Sequence, residues 1–309
     1  MLKTFSKVKN NITNDNLTKI FLVISILAVI IFLYKSNKRE NFANTQIYTS
    51  ADNKRIFDNN YINLYENIII DTDKNKYFID SILNNTNISN NGTILNIGCK
   101  TGNINKLLRE RNINSIGLDE SVDMIKFCKN NYRDIDFHIL NYNTLDSITI
   151  NNNITHILCL NMEIYYIENI ELFFSKCYNL LDNNGYLIIH IVNYEKYNNT
   201  NVYSRIHNLN PNQLSIKKVN DSIIQFNDII YNTKYRIYPN DFGNKKVKFT
   251  ETIQNLKNNN IHENIHNLNM ISNSNLEKIA NDHGFILTNK IEINLEYYND
   301  EYLYIFRKM

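Results

Sequence analysis

The sequence predicts an α/β protein built around a parallel, doubly wound sheet. Two observations indicate this fold class: short apolar runs alternate with segments of helical periodicity, and six of the seven glycines stand at element ends or close approaches. Strands are predicted at 93–97, 114–118, 136–140, 155–160 and 186–192.

Helical spacing of apolar residues predicts the elements around these strands. Helices are expected to end near Arg109, Asn130 and Leu181, and two short helices are expected between Ile56 and Leu83. The segment at 35–50 is polar and aperiodic, which is typical of a linker.

Composition and charge exclude several classes of protein. The chain has 309 residues, 43% hydrophobic and 21% charged, which excludes wholesale disorder. A net charge of +2 is too small to hold a polyanion, so no nucleic-acid partner is expected. Four cysteines without a C-x-x-C pair predict reduced, buried thiols. The 60 asparagines and four alanines indicate an AT-rich genome, as in some parasites and large viruses.

An apolar run near the N-terminus predicts a single transmembrane helix at 20–34. The run carries no charge, and twelve of its residues are Ile, Leu, Val or Phe. Lysines flank it, and no small-residue cleavage site follows, so an uncleaved anchor is favoured over a signal peptide. A polar tail at 1–19 precedes this anchor.

The first predicted strand leads into a glycine loop. Residues 93–102 read TILNIGCKTG, a strand followed by a tight turn that contains Gly98 and Gly102. Glycines let the backbone approach a ligand, and the following helix presents unpaired N–H groups. Asp119 ends the second strand, where a carboxylate can accept both ribose hydroxyls. The pattern predicts a nucleoside-containing ligand.

Six stretches carry a more specific resemblance. They are LNIGCKTG at 95–102, GLDESVDMI at 117–125, ITHILCLNMEIYYI at 154–167, LLDNNGYLIIHIVN at 180–193, HGFIL at 283–287 and EYLYIFRKM at 301–309. In this order they resemble class I S-adenosylmethionine-dependent methyltransferases that act on small molecules. The resemblance implies a Rossmann-like seven-stranded sheet with helices on both faces and the last strand inserted antiparallel. It also implies S-adenosylmethionine as the cofactor and a small, unidentified methyl acceptor.

The resemblance also implies a set of cofactor-binding residues: Asn96, Gly98, Cys99, Lys100, Thr101, Gly102, Asp119, Met124, Asn141 and Asn161. Some positions depart from the family. Asn96 replaces an acid at the methionine end, Lys100 replaces a glycine, and Asn141 replaces the adenine-contacting aspartate. His156 replaces the aspartate that opens the fourth strand. The Lys100 ammonium offers a partner for the methionine carboxylate.

The same resemblance divides the chain into a cofactor-binding core at 51–193, an insert at 194–270 and terminal strands at 271–309. Ligands of such sheets bind at the carboxyl ends of the strands, so the insert is expected to cover that side as a substrate cap. A strand pair is predicted in it, near 223–231 and 247–252.

The sequence does not identify the catalytic residues. Glu163 and His190 are the nearest candidates for a base, although both fit structural roles equally well. Four tyrosines are candidates for closing the pocket or for ordinary core positions: Tyr61, Tyr65, Tyr165 and Tyr166.

Three other functions compete with methyl transfer. A catalytically silent, membrane-anchored scaffold would keep the fold without the activity. A zinc hydrolase is suggested by H-E-x-x-H at His262, Glu263 and His266, but no third ligand is placed, so no metal is expected. A nicotinamide-dependent oxidoreductase would need G-x-G-x-x-G, which the glycine loop lacks.

The cofactor and the cysteines predict where the domain resides. S-adenosylmethionine is a cytosolic metabolite, and unpaired cysteines suit a reducing compartment. The domain after the anchor is therefore expected to face the cytosol or the interior of a virion, although the flanking lysines do not enforce an orientation.

Overall fold

The computed structural model describes residues 19, 23–31, 47–50, 56–88, 92–147, 153–193, 221–239, 245–257, 259–296, 298 and 300–309. It contains two sheets. In chain order the strands are β1 (Ile47–Ser50), β2 (Thr93–Ile97), β3 (Asn114–Asp119), β4 (Asp136–Ile139), β5 (Ile154–Cys159), β6 (Tyr186–Val192), β7 (Asp221–Phe226), β8 (Ile229–Pro239), β9 (Lys245–Asn255), β10 (Ile261–Met270), β11 (Phe285–Glu292) and β12 (Glu301–Lys308).

The central sheet has seven strands in the order β11-β12-β6-β5-β2-β3-β4. The five strands from β6 to β4 are parallel, and β12 runs antiparallel between β6 and β11. The predicted Rossmann-like mixed sheet is thereby confirmed. The five strands expected from apolar runs coincide with β2 to β6 to within one residue at each end.

Helices cover both faces of this sheet. They are α1 (Asn59–Leu64), α2 (Thr72–Asn85), α3 (Asn103–Arg109), α4 (Val122–Asn131), α5 (Ile170–Leu180) and α6 (Asn273–Asp282). A π-helical turn at Tyr65–Ile69 continues α1, and short 3₁₀ helices lie at Tyr142–Ser147 and Glu163–Tyr166. Four of the α-helices, α2, α4, α5 and α6, begin at a side-chain cap that accepts a backbone N–H, supplied by Asp71, Ser121, Asn169 and Ser272.

Alternate residues of the parallel strands point to opposite faces and create two apolar cores. Ile94, Leu158 and Ile188 pack against the buried sides of α2 and α3. On the other face, Leu95 and Ile157 belong to the core that includes α5 and α6. Because both faces are covered, β2 is buried along its whole length, as near-continuous apolar strands of parallel sheets usually are.

A second sheet of five strands, in the order β1-β10-β9-β8-β7, is built largely from the insert. β1 lies within the segment predicted as a linker, and it pairs parallel to β10. The strand predicted near 223–231 is in fact a hairpin, in which β7 and β8 pair antiparallel around a turn with Asn227 at φ +50°. Asn227 and Asp228 are residues that favour turns, and they interrupt the apolar sequence at this point. This explains why the chain forms two strands here and not one.

The H-E-x-x-H segment lies in β10 and not in a helix, which corrects the geometry assumed for a zinc site. His266 bonds Glu251 and Tyr166 instead, and the described residues contain no cluster of three or more His, Cys, Asp or Glu side chains able to hold a metal ion. The strand results from antiparallel pairing with β9 along ten residues, a tertiary constraint that local spacing does not reveal.

The predicted membrane span at 20–34 lies partly outside the described residues, which include 23–31 as helix. Among the helices that the structure describes, none combines the length and the apolar character needed to cross a bilayer.

Candidate functional site

The glycine loop follows β2 at the carboxyl edge of the central sheet. Three of its residues have left-handed backbone: Gly98 at φ +68°, Lys100 at φ +49° and Gly102 at φ +79°. The backbone N–H of Lys100 donates to Asp119 Oδ2 over 2.8 Å, and Asp119 Oδ1 accepts the N–H of Ser121. The loop is therefore fastened to the end of β3, which brings the two predicted ligand-binding segments together.

Asp119 is buried, and this changes its acidity. Burial raises the pKa of Asp119 to about 6, and the nearby Glu163 carboxylate raises it too, while Lys100 and the two N–H donors oppose the rise. Each Asp119 oxygen still has acceptor capacity beyond its one N–H bond, since a carboxylate has about four lone-pair sites. The group can therefore accept hydroxyl donors from a ligand.

Lys100 and Glu163 form an ion pair above Gly98. Lys100 Nζ lies 2.7 Å from Glu163 Oε2, and an ideal Cβ at Gly98 would lie only 2.3 Å from Glu163 Cδ. Burial alone would lower the pKa of Lys100, but Glu163 and neighbouring tyrosines raise it above its ordinary value, so Lys100 is charged. Only glycine permits the Glu163 side chain to approach the loop so closely.

Two cavities adjoin at this ion pair. The loop cavity is lined by Asp119, Glu120, Ser121, Asn141, Tyr142, Asn143, Glu163, Ile167 and Glu168. The tyrosine cavity lies under the second sheet. Its lining includes six tyrosines, Tyr61, Tyr65, Tyr166, Tyr231, Tyr235 and Tyr298, and several polar side chains, among them Lys74, Asn161, Glu251, His266 and Glu301. Phe57, Lys100 and Tyr166 line both cavities and form the wall between them.

The predicted cofactor residues divide into two groups. Lys100, Asp119, Asn141 and Asn161 line one or both cavities. The remaining six lie among the loop and its supporting residues and do not line either cavity: Asn96, Gly98, Cys99, Thr101, Gly102 and Met124.

Asn96 points its amide toward α3. Its Nδ2 donates to Asn105 Oδ1 over 2.7 Å, and Asn105 in turn donates to Ser115. This buried chain of hydrogen bonds links β2, α3 and β3. Asn96 therefore helps to hold together the elements that support the glycine loop.

A second amide chain reaches the tyrosine cavity. Asn161 Nδ2 donates to Asn75 Oδ1, and Asn75 Nδ2 donates to Asn103 at the start of α3. Asn161 and Met162 both have left-handed backbone, at φ +51° and +65°. The turn after β5 is thereby held against the glycine loop.

His190, one of the two predicted base candidates, supports this turn. Its Nδ1 accepts the N–H of Met162, so its Nε2 carries the proton and donates to Glu301, which also pairs with Lys74 over 2.6 Å. Burial and the nearby Lys74 ammonium together lower the pKa of His190 to about 4, although Glu301 opposes the shift. Both ring nitrogens are used within the protein, which favours a structural role. The other candidate, Glu163, is paired with Lys100.

A hydrogen-bonded cluster in the tyrosine cavity was missed by sequence reasoning. Glu251 of β9 lies 2.7 Å from His266 Nε2, and His266 Nδ1 lies 2.7 Å from the hydroxyl of Tyr166. Glu251 also accepts the hydroxyls of Tyr61 and Tyr231. The sequence does contain a signal for this cluster, because polar residues occupy alternate positions of β9 and β10. That signal can be interpreted only when the register of the two strands is known.

A family model described as a methyltransferase domain matches residues 88–235. Slightly under half of the chain is therefore similar to a methyltransferase domain. The match spans β2 to β6 and extends into the second sheet, and no curated protein matches the chain significantly.

Solved structures that are described as methyltransferases share the fold of this chain. An S-adenosylmethionine-dependent methyltransferase from Clostridium acetobutylicum is 17% identical, with a TM-score of 0.60 over 81% of this chain and 98% of its own. CcbJ from Streptomyces caelestis is 9% identical, with a TM-score of 0.61 over 83% and 99%. CalS10 from Micromonospora echinaspora, an amino pentose methyltransferase, is 12% identical, with a TM-score of 0.55 over 77% and 91%. These findings support the predicted enzyme class, an S-adenosylmethionine-dependent methyltransferase, and its cofactor.

Proposed function

We propose that this methyltransferase domain binds S-adenosylmethionine across the loop cavity and methylates a small molecule held in the tyrosine cavity. The observation that carries the proposal is the wall of Phe57, Lys100 and Tyr166, which both cavities share. If one ligand occupied each cavity, the two ligands would contact each other at this wall. When bound, the cofactor supplies an electrophilic methyl group on a sulfonium.

The residues around the loop cavity fit this cofactor. Asp119 can accept ribose hydroxyls, and Asn141 can pair with a base edge. Lys100 and Glu163 present opposite charges at the wall, which suits the carboxylate and ammonium of the methionine end. The hydroxyl of Thr101, in the same loop, is buried and has no partner among the described residues.

The chain's main contribution to the reaction is alignment. Ser121 caps α4 and donates its hydroxyl to the carbonyl of Phe57, which fixes one side of the wall. The rings of Phe57, Tyr61, Tyr166 and Phe249 surround His266, with centroids 5.1 to 6.4 Å from that of the imidazole, and give this part of the cavity an aromatic lining. Holding two reactants in line in a closed space supplies a large part of the rate of such displacements.

The small-molecule acceptor is supported by the shape of the site. The tyrosine cavity is closed on one side by the second sheet, whose Tyr231, Tyr235, Glu251 and His266 line it. Two neighbours of similar fold, CalS10 and the sugar N-methyltransferase KedS8, are described as acting on sugars. A macromolecular acceptor would need a more open approach to the wall.

Calorimetry on the full chain tests the proposal. S-adenosylmethionine and S-adenosylhomocysteine should both bind at one site, and S-adenosylhomocysteine should accumulate when an acceptor is added. Absence of cofactor binding would overturn the methyltransferase proposal. Binding without transfer to any of a broad set of small molecules would instead favour the catalytically silent scaffold.

We infer that residues 20–34 attach this enzyme to a membrane, with the domain facing the cytosol or a virion interior. Seven large apolar side chains at 23–31 are each at least half exposed, which suits apolar surroundings. The sequons at Asn84, Asn87 and Asn91 provide the test. Expression in eukaryotic cells should give no glycosidase-sensitive mass shift, whereas a shift would place the domain in the secretory lumen.

A further inference from the structure

We propose that Tyr166, His266 and Glu251 form a proton relay that deprotonates an amine acceptor in the tyrosine cavity. The inference deepens the proposed function and rests on it. Tyr166 is the member that would touch the acceptor, because it lies in the wall between the two cavities. His266 and Glu251 act through Tyr166 as positioning and proton-holding residues.

The three side chains come from separate elements and meet with good geometry. Tyr166 ends the 3₁₀ helix after β5, His266 lies in β10, and Glu251 lies in β9. Both links are 2.7 Å long, and His266 and Glu251 are each only 1% exposed. A polar cluster buried this deeply is costly unless every member is hydrogen-bonded, as these are.

The acidity of Glu251 fixes the direction of the relay. Burial alone would raise the pKa of Glu251, but His266 and the hydroxyls of Tyr231 and Tyr61 hold it below its ordinary value. As a carboxylate, Glu251 accepts the proton of His266 Nε2. The Nδ1 of a neutral His266 then accepts the Tyr166 hydroxyl. The Tyr166 oxygen keeps lone pairs that can accept a proton from a ligand.

The lining of the cavity suits a cation. Eight aromatic rings line it: Phe57, Tyr61, Tyr65, Tyr166, Tyr231, Tyr235, Phe249 and Tyr298. Three carboxylates, Asp71, Glu251 and Glu301, face two ammonium groups, Lys74 and Lys100, and Lys100 is already paired with Glu163 across the wall. Aromatic faces and an excess of carboxylate favour an alkylammonium over a neutral or anionic acceptor.

An amine acceptor requires a base before methyl transfer can take place. An alkylammonium has no lone pair, so it must lose one proton before it can attack a methyl group. That proton passes to the Tyr166 oxygen as the Tyr166 proton passes to His266 Nδ1, and the imidazolium is stabilised by Glu251. The amine nitrogen then forms the new N–C bond, the C–S bond to the methyl breaks with its electron pair remaining on sulfur, and His266 releases the proton to water. The product is a methylated ammonium and a neutral thioether.

Charged and titratable groups from every neighbouring element face the relay. They are Lys100 in the glycine loop, Glu163 in the 3₁₀ helix, Tyr61 and Tyr65 around α1, and Tyr231 in β8. The Lys100 ammonium favours the ionised form of Tyr166, whereas the two carboxylates and burial oppose it. The relay therefore transfers a proton through Tyr166 without leaving a phenolate in the resting protein.

Binding of matched probes to the full chain forms the first arm of the test. Cyclohexylamine and benzylamine are compared with cyclohexanol and benzyl alcohol by calorimetry, with S-adenosylhomocysteine present so that no transfer occurs. We expect each amine to bind at least 10-fold more tightly than its alcohol. Failure of S-adenosylhomocysteine to bind would contradict the proposed function itself. If it binds and neither amine is preferred, the inference is overturned and the proposed function stands.

Kinetics with S-adenosylmethionine and the better amine forms the second arm. Tyr166→Phe and His266→Asn should each lower kcat at least 100-fold, with unchanged affinity for S-adenosylhomocysteine and a changed acid limb of the pH–rate profile. Tyr178→Phe is the matched control, since its hydroxyl bonds Met309 outside both cavities. An amine that binds but is not methylated, or variants with full activity, would overturn the relay. Melting temperatures of the variants exclude a loss of folding.

Discussion

Lys100 Nζ and Glu163 Oε2 pair over 2.7 Å, and the Glu163 side chain passes so close to Gly98 that an ideal Cβ there would lie 2.3 Å from Glu163 Cδ. The pair offers a reason why the loop departs from the methyltransferase motif that it resembles. Asn96 gives up a carboxylate and bonds Asn105 instead, while Glu163 supplies a carboxylate from the turn after β5. When a ligand with a zwitterionic amino-acid end binds, its carboxylate can pair with Lys100 and its ammonium with Glu163, in place of the ion pair between these two side chains.

Neutralising either member of this pair should weaken only ligands that carry an amino-acid end. Lys100→Met and Glu163→Gln should each reduce the affinity for S-adenosylhomocysteine about 10-fold, or about 1.4 kcal/mol, because a charge-assisted contact is lost. Affinity for 5′-methylthioadenosine, which lacks the amino-acid end, should not change. Calorimetry on both ligands measures the difference. Lys106→Met, at a half-exposed helix position, is the control, and equal losses for both ligands would contradict the assignment.

Removing the Asp119 carboxylate should weaken both nucleoside ligands. Asp119→Ala should reduce binding by about 1.5–3 kcal/mol, since charge-assisted hydrogen bonds to the ribose are lost. Because burial raises the pKa of Asp119 to about 6, affinity in the native chain should also fall as the pH is lowered from 7 to 5. Asp134→Ala, on the exposed side of the molecule, is the control. If the affinity of Asp119→Asn still falls between pH 7 and pH 5, the pH dependence originates from another group.

Adding a methyl group at Gly98 should damage both the loop and the ion pair. Gly98→Ala places a Cβ 2.3 Å from Glu163 Cδ at a backbone φ of +68°, which an L side chain rarely adopts. We expect a loss of about 1–3 kcal/mol in the free energy of unfolding, measured in urea. In the double variant with Glu163→Ala the clash is removed and only the backbone strain remains, so part of the loss should be recovered. Full recovery would show that the backbone is not strained there.

The sequence predicted the central sheet well because its information is local. Buried parallel strands are short apolar runs, and two of the helices between them begin at the side-chain caps Ser121 and Asn169, so these elements have local signals. The positions of the glycines also predicted the loop after β2, because the close approach of Glu163 requires a glycine at position 98.

The second sheet and its cluster could not be predicted in the same way. Glu251 and His266 are 15 residues apart and meet Tyr166 only through the register of β9 against β10. Asparagine, common throughout this chain, also obscures the polar alternation of these strands. The H-E-x-x-H spacing drew attention to His266, but the zinc site it suggested as an alternative required a helix, whereas the segment is a strand.

Two buried histidines should make the fold acid-sensitive. Burial lowers the pKa of His156 and of His190 to about 4 in the folded protein. Both should bind protons near pH 6.5 once unfolded, so the unfolded chain holds more protons between these values. Stability contributed by the neutral histidines is thus complete above about pH 6.5 and is lost as the pH falls toward 4, by about 2–3 kcal/mol for each. The raised pKa of Asp119 opposes this loss below about pH 6.

Urea unfolding at pH 7 and pH 5 measures this loss. His156 bonds the hydroxyls of Thr86 and Thr155 and stacks on Tyr186, away from both cavities, so it can be replaced without altering the site. His156→Gln should keep a hydrogen bond to Thr86 and remove the titrating group, so its stability should fall less between pH 7 and pH 5 than that of the native chain. His138→Gln, at an exposed position of β4, should fall as much as the native chain. If His156→Gln retains the full pH dependence, the acid sensitivity originates from other groups.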